Sequence, residues 1–197
     1  MKKYLVSLLS VLLALVLFAN CEETKELPEF DNWKQKNSLF IDSIANVARA
    51  NTDGDWRVYI AEGCDTLETA NEYFVYCKIL ESGSGTVHPN YNDTILANYR
   101  GRLIPSRSYP NGYVFDETFS GELDPEVDVP MKLDLSGCVR GWITAVENMV
   151  KGDLWRIYIP SELGYGEESR TNIPAYSTLI FEINLVDFSP VGTPIKQ

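Results

Sequence analysis

Ile95, Ala97, Tyr99, Gly101 and Leu103 recur at every second position, and Leu179, Phe181, Ile183 and Leu185 do the same near the carboxy end. Successive side chains of a strand point to opposite faces, so this alternation specifies strands with one side against a core. Shorter segments rich in aromatic and β-branched residues predict strands at 56–61, 73–80, 112–115, 131–135 and 154–160. The period becomes helical in two places. Trp142, Val146 and Met149 share a face of a short helix over 139–149, and Trp33, Phe40, Ile44, Val47 and Ala48 mark an amphipathic helix over 31–50. Asp31 is its expected N-cap, and Gly54 is expected to supply the left-handed residue at its end. Antiparallel strands with one helix inserted late give an α+β class. One amphipathic helix cannot bury its stripe alone, so 31–50 must dock on the main domain, on a second copy as a homodimer element, or on a partner.

The chain starts with Lys2 and Lys3 and then an apolar run, 4–19, which is short against the ~20 residues of a membrane span. A secretory signal peptide fits better. Leu17-Phe18-Ala19-Asn20-Cys21 resembles the lipobox of bacterial lipoproteins, although Phe18 and Asn20 depart from its stricter form. That resemblance implies an acylated Cys21 and attachment to a membrane at the cell envelope, on the periplasmic face or the surface of an outer membrane. A cleaved soluble chain or a short uncleaved anchor are the alternatives. The acidic residues Glu22, Glu23 and Glu26 read equally as a sorting signal or a solvated tether.

A formal charge of −11 gives no electrostatic basis for nucleic-acid binding. The single histidine, His88, lies in a polar stretch, which leaves little room for Ser-His-Asp catalysis or multi-histidine metal sites. Beyond Cys21, the cysteines Cys64, Cys77 and Cys138 show no CxxC spacing. Cys64 and Cys77 are left open as a disulfide or two free thiols. The run 51–55 lacks the spacing and terminal Glu of a calcium loop. No phosphate-binding glycine motif occurs. Neither a metal nor a cofactor is expected.

An ordered series of short blocks carries a more specific signal. Ala97-Asn98-Tyr99-Arg100-Gly101-Arg102-Leu103 precedes Gly112-Tyr113-Val114-Phe115-Asp116, then Val139-Arg140-Gly141-Trp142. Gly152-Asp153, Ile159-Pro160 and Leu163-Gly164-Tyr165-Gly166 follow, and Ile173-Pro174 leads to Thr178-Leu179-Ile180-Phe181-Glu182. Over 71–188 the chain resembles the FKBP-type peptidyl-prolyl cis-trans isomerases. The resemblance implies a twisted antiparallel sheet wrapping one short helix, here preceded by the amphipathic helix. It divides the chain into a signal peptide (1–20), a lipidated tether (21–29), a helical extension (30–70), the isomerase domain (71–189) and a tail (190–197).

It further implies that Tyr99, Phe115, Asp116, Val139, Trp142, Tyr165, Ile173 and Phe181 line one concave site for proline-containing polypeptides. Trp142 would floor a proline pocket walled by Phe115 and Phe181. The Val139 amide and the Tyr165 hydroxyl would hold carbonyls, Asp116 would orient Tyr99, and Ile173 would cap the site. Met131 and Cys138 stand where the family has a bulky aromatic and an aliphatic residue, which implies an altered substrate surface at both. A catalytically weak chaperone or protein-binding module on the same fold is the second reading, and a surface glycan binder the third.

Overall fold

The computed structural model describes residues 29–125 and 127–195. The signal segment, Cys21, tether residues 22–28 and the last two residues of the tail lie outside them. In chain order the elements are α1 (Trp33–Ala50), β1 (Trp56–Ile60), β2 (Phe74–Glu81), β3 (Thr94–Arg102), β4 (Val114–Glu117), β5 (Met131–Asp134), α2 (Arg140–Val146), β6 (Leu154–Ile159) and β7 (Leu179–Ser189). The strands form one antiparallel sheet in the order β1-β2-β6-β7-β3-β4, with β5 also paired to β3. One flank of β3 runs against β7 for its whole length. The other flank is shared, with β5 opposite Thr94–Ala97 and β4 opposite Arg100–Arg102. This split sets β5 against the amino half of β3 and β4 against its carboxy end, with Tyr99 between the two.

The alternation read from the sequence faces the main core as expected. Ile95, Ala97 and Tyr99 from β3, Leu103 just after it, and Leu179, Phe181, Ile183 and Leu185 from β7 pack with Trp142, Val146 and Met149. Gly141 allows α2 to seat on β6, because a Cβ there would collide with the Ile159 side chain. The other face of β3 is buried too, through Leu96, Asn98 and Arg100.

Helix α1 docks on its own sheet, on the face opposite α2. Ile41, Ala45 and Ala48 form a second core with Trp56, Tyr76 and Tyr158, the last of which stacks on Trp56 at 5.8 Å. The buried stripe is therefore Trp33, Asn37, Ile41, Ala45 and Ala48. This corrects the expected face: Val47 is exposed, and Phe40 and Ile44 lie half-buried at the helix edge. A sheet surface paved with large rings accepts small residues beneath the last turns of the helix, so Ala45 and Ala48 face inward there while Val47 faces solvent.

The helix ends also differ in detail. Asn32, in the left-handed region at φ 51°, precedes the first turn in place of Asp31, and makes no side-chain cap. At the other end Asn51 takes the left-handed conformation assigned to glycine, with φ 43°. Its side-chain oxygen accepts the Trp56 amide at 2.9 Å, a bond that glycine could not make. Cys64, Cys77 and Cys138 are all free thiols. Cys77 is fully buried, and that burial pushes its thiol pKa well up. No helix among the described residues is long and apolar enough to cross a membrane.

The first turns of α1 are fastened to the segment that leads into β7. The Trp33 indole N–H donates to Ser177 Oγ at 2.8 Å, and that hydroxyl donates to the Pro174 carbonyl at 2.7 Å. The buried Thr178 amide donates to Asn37 Oδ1 at 2.7 Å, while Asn37 Nδ2 donates to the Trp33 carbonyl. A buried N–H stripped of its acceptor costs about 1–3 kcal/mol. Asn37→Leu is expected to destabilise the fold by that amount, read as a lower urea midpoint at unchanged slope.

Candidate active site

The site is assembled where β3, β4, β7 and α2 meet. Phe181 is its centre. Its backbone pairs with Gly101 on one side and Ile157 on the other. Its ring meets Trp142 at 5.4 Å and 86°, Phe115 at 5.4 Å and 87°, and Tyr99 at 6.2 Å and 64°. Tyr99 and Trp142 are themselves perpendicular at 5.4 Å and 89°. Edge-to-face contacts set the positive rim of one ring against the negative face of the next, and each such pair adds about 0.5–1.5 kcal/mol beyond burial. Gly101 makes the arrangement possible, since a Cβ there would lie 2.6 Å from the rings of both Phe115 and Phe181.

Tyr99 is fixed at both ends. Its amide donates to Thr118 Oγ1 at 2.9 Å, and its carbonyl accepts the Thr118 amide at 2.9 Å. Its hydroxyl donates to Asp116 Oδ2 at 2.8 Å, with Met131 Sδ 3.5 Å away. Burial, and then the bond to Asp116, push the Tyr99 phenol well above its ordinary range. Cys138 is half-buried, and its thiol is pushed up to about 11 by burial and the nearby Asp134 charge.

Val139 precedes α2 in an extended conformation (φ −68°, ψ 151°). Its carbonyl accepts the Trp142 and Ile143 amides, and its own amide has no partner among the described residues. Tyr165 follows the 3-10 turn Ser161–Leu163, in a loop closed by bonds from Gly166 N–H to the Ser161 carbonyl and from Tyr176 N–H to the Gly166 carbonyl, both 2.7 Å. The Arg170 guanidinium lies 5.4 Å from the centre of the Tyr165 ring, and the Tyr165 hydroxyl makes no hydrogen bond to the described residues.

These groups surround a hollow of about 280 Å³. Tyr99, Asp116, Cys138, Val139, Trp142, Tyr165 and Phe181 all line it, which is most of the set named from the sequence. Phe115 stands behind Phe181, and Ile173 is buried in the main core; neither lines the hollow. Met131 lies at the rim, 47% exposed. Sequence reasoning missed Leu133 and Gly137, which also line the hollow, and Arg170 over Tyr165. Leu133 had a usable signal, since it lies two residues beyond Met131 in the same strand. A larger open hollow of about 510 Å³ occupies the opposite face of the sheet, between α1 and the 104–112 loop. Its arginines Arg100 and Arg156 are already paired with Glu117 and Glu182. Among the described residues no cluster of acidic, histidine or cysteine side chains is placed to hold a metal ion.

Comparison with known proteins agrees with the geometry. The family model of FKBP-type peptidyl-prolyl cis-trans isomerases matches residues 85–186, a span that contains every lining residue. The FKBP-type peptidyl-prolyl cis-trans isomerase FkpA of Escherichia coli is 32% identical over 124 residues, covering 63% of this chain and 41% of its own. The outer membrane protein MIP of Legionella longbeachae is 33% identical over 110 residues, 55% of this chain and 42% of that protein. The chain thus matches less than half the length of these relatives. In fold, it resembles a peptidyl-prolyl cis-trans isomerase from Pseudomonas syringae with a TM-score of 0.55 at 24% identity, over 79% of this chain and 96% of the other.

The pocket groups with raised pKa values keep their protons well above neutrality. The Tyr99 phenol releases its proton only above its usual value near ~10, and Cys138 only near about 11. Neither charge changes between about pH 6 and pH 9, so the rate of any reaction in this hollow is expected to stay flat across that window. A pH profile of kcat/KM checks this, and a step inside the window would show that another titrating group takes part.

Proposed function

Because the chain belongs to the FKBP-type peptidyl-prolyl cis-trans isomerase family, we propose that its hollow binds Xaa-Pro segments of polypeptides and accelerates rotation about the Xaa-Pro bond. The observation that carries this reading is the edge-to-face box of Tyr99, Trp142 and Phe181, open on one side and flanked by two donors unused among the described residues. Rotation about a peptide C–N bond faces a barrier of about 18–20 kcal/mol because twisting breaks amide resonance. The twisted amide is less charge-separated than the planar one, so a dry aromatic wall favours it over water. That is preferential binding of the transition state, and no covalent step is needed. A millionfold acceleration corresponds to only about 8 kcal/mol.

In this reading Trp142 floors the pocket for the proline ring and Phe181 walls it. Phe115 supports Phe181 from behind, and Ile173 supports the loop that carries Tyr165. The Val139 amide and the Tyr165 hydroxyl hold substrate carbonyls. Asp116, anchored by Tyr99, sits at the rim beside the twisting carbonyl. Met131 and Cys138 shape the approach to the pocket. The indole N–H of Trp142 is buried and has no acceptor among the described residues, and ring packing against Tyr99 and Phe181 holds it in place.

We place the protein at the cell envelope, exported by residues 1–20 and held by acyl chains on Cys21, each buried CH2 worth about 0.8 kcal/mol. The lipobox-like sequence and the outer-membrane name of one relative support this. Helix α1 would offer a second copy chiefly Leu39 and Val47, because its inner stripe is already covered.

A protease-coupled assay on an Xaa-Pro tetrapeptide tests the activity. Trp142→Ala is expected to lower kcat/KM at least tenfold, and Asp116→Leu to lower kcat with folding retained by circular dichroism. An unchanged rate in both variants would separate the activity from this hollow.

A further inference from the structure

The connection between β4 and β5 has a fixed root and an apolar tip. At the root, the Arg100 side chain is only 9% exposed. Its Nε donates to Glu117 Oε2 at 2.7 Å, and its two terminal nitrogens donate to the carbonyls of Gly121 and Phe119 at 2.8 and 2.9 Å. The same guanidinium lies 4.3 Å from the centre of the Phe119 ring. At the tip, the amides of Val127 and Asp128 donate to the Asp124 carbonyl. The Asp124 amide in turn donates to Asp128 Oδ2.

Val127 is 73% exposed and Val129 is 70% exposed. The next alternate residue is Met131 at the rim, whose sulfur lies by the Tyr99 hydroxyl, and the next is Leu133 in the lining of the hollow. Alternate residues of a strand share a face, so Met131 and Leu133 of β5 lead from the rim into the pocket, and Val129 lies two residues before Met131, in solvent.

We propose that Val127 and Val129 form a docking surface for the apolar flank of an extended client polypeptide whose Xaa-Pro bond occupies the hollow. Continuity with the pocket identifies the occupant: a chain threaded into the hollow past Leu133 and Met131 meets Val129 next. Arg100 is the positioning residue that holds the loop ready, so that binding does not have to order it. Short peptides end before reaching the tip, whereas unfolded proteins do not. The inference rests on the isomerase reading and adds to it a preference for long, apolar clients.

The test compares the full chain with a Val127→Ser/Val129→Ser variant on two substrates: an Xaa-Pro tetrapeptide, and a protein whose refolding is limited by one Xaa-Pro bond. The variant is expected to keep tetrapeptide kcat/KM within about twofold, while catalysed refolding falls roughly tenfold through KM with kcat unchanged. Val127→Ile/Val129→Ile is expected to retain both rates. Undiminished refolding catalysis in the serine variant overturns the proposal. So does an equal loss on both substrates, and so does a change confined to sedimentation, which would assign the surface to a second copy. Inactivity of the unsubstituted chain on the tetrapeptide instead overturns the isomerase reading. Fluorescence titration with a permanently unfolded chain then decides the surface: weaker binding by the serine variant supports it, and equal binding rejects it.

Discussion

The edge-to-face packing around Phe181 is the contact on which the other site features depend. Its backbone lies between β3 and β6, so its ring position is set by two ladders at once. Three rings from three other elements then lean on it. The contact requires a missing side chain at Gly101, directly opposite Phe181 in the ladder. It also requires α2 to sit close to β6, which Gly141 allows. With those two approaches granted, Tyr99, Trp142 and Val139 line one hollow. Interiors of this density have discrete packings and do not deform smoothly, so the geometry is rigid where the chemistry is proposed.

The chemistry suits that rigidity. Around the hollow, Tyr99 and Cys138 hold their protons well above neutrality, and the carboxylate in reach, Asp116, is engaged by the Tyr99 hydroxyl. These groups resemble a binding surface for a neutral, partly apolar transition state more than a set of proton donors and acceptors. What moves along the reaction is the substrate, and what the protein contributes is shape, dryness and a few oriented dipoles. Helix α1 adds to this from the far side of the sheet, since Trp33 and Asn37 pin the segment between the Tyr165 loop and β7.

Much of this was legible in the sequence, for identifiable reasons. Period-two alternation exposed β3 and β7 because their inner faces are wholly apolar apart from Tyr99 and Gly101. Tyr99, Asp116, Val139, Trp142, Tyr165 and Phe181 were found through the ordered blocks that carry them. Other features were hidden because they depend on contacts distant in sequence. Asn37 looks like a polar interruption of a helical stripe until Thr178 arrives 141 residues later to donate to it. The burial of Ala45, and the exposure of Val47, follow from the bulk of Trp56 and Tyr158 on the sheet surface, which no helical periodicity records. Arg100 falls on the outward face of its strand by alternation and reads as solvated, yet the loop folds back to bury it.

The central claim is that the hollow acts by favouring a twisted amide, with no proton in flight and no bond made to the protein. The solvent deuterium isotope effect on kcat/KM for an Xaa-Pro tetrapeptide tests it most directly, because general acid or base catalysis transfers a proton in the transition state. The account expects catalysis with an effect close to 1. An effect of about 2 or more would mean that a proton moves in the rate-limiting step, and would contradict it.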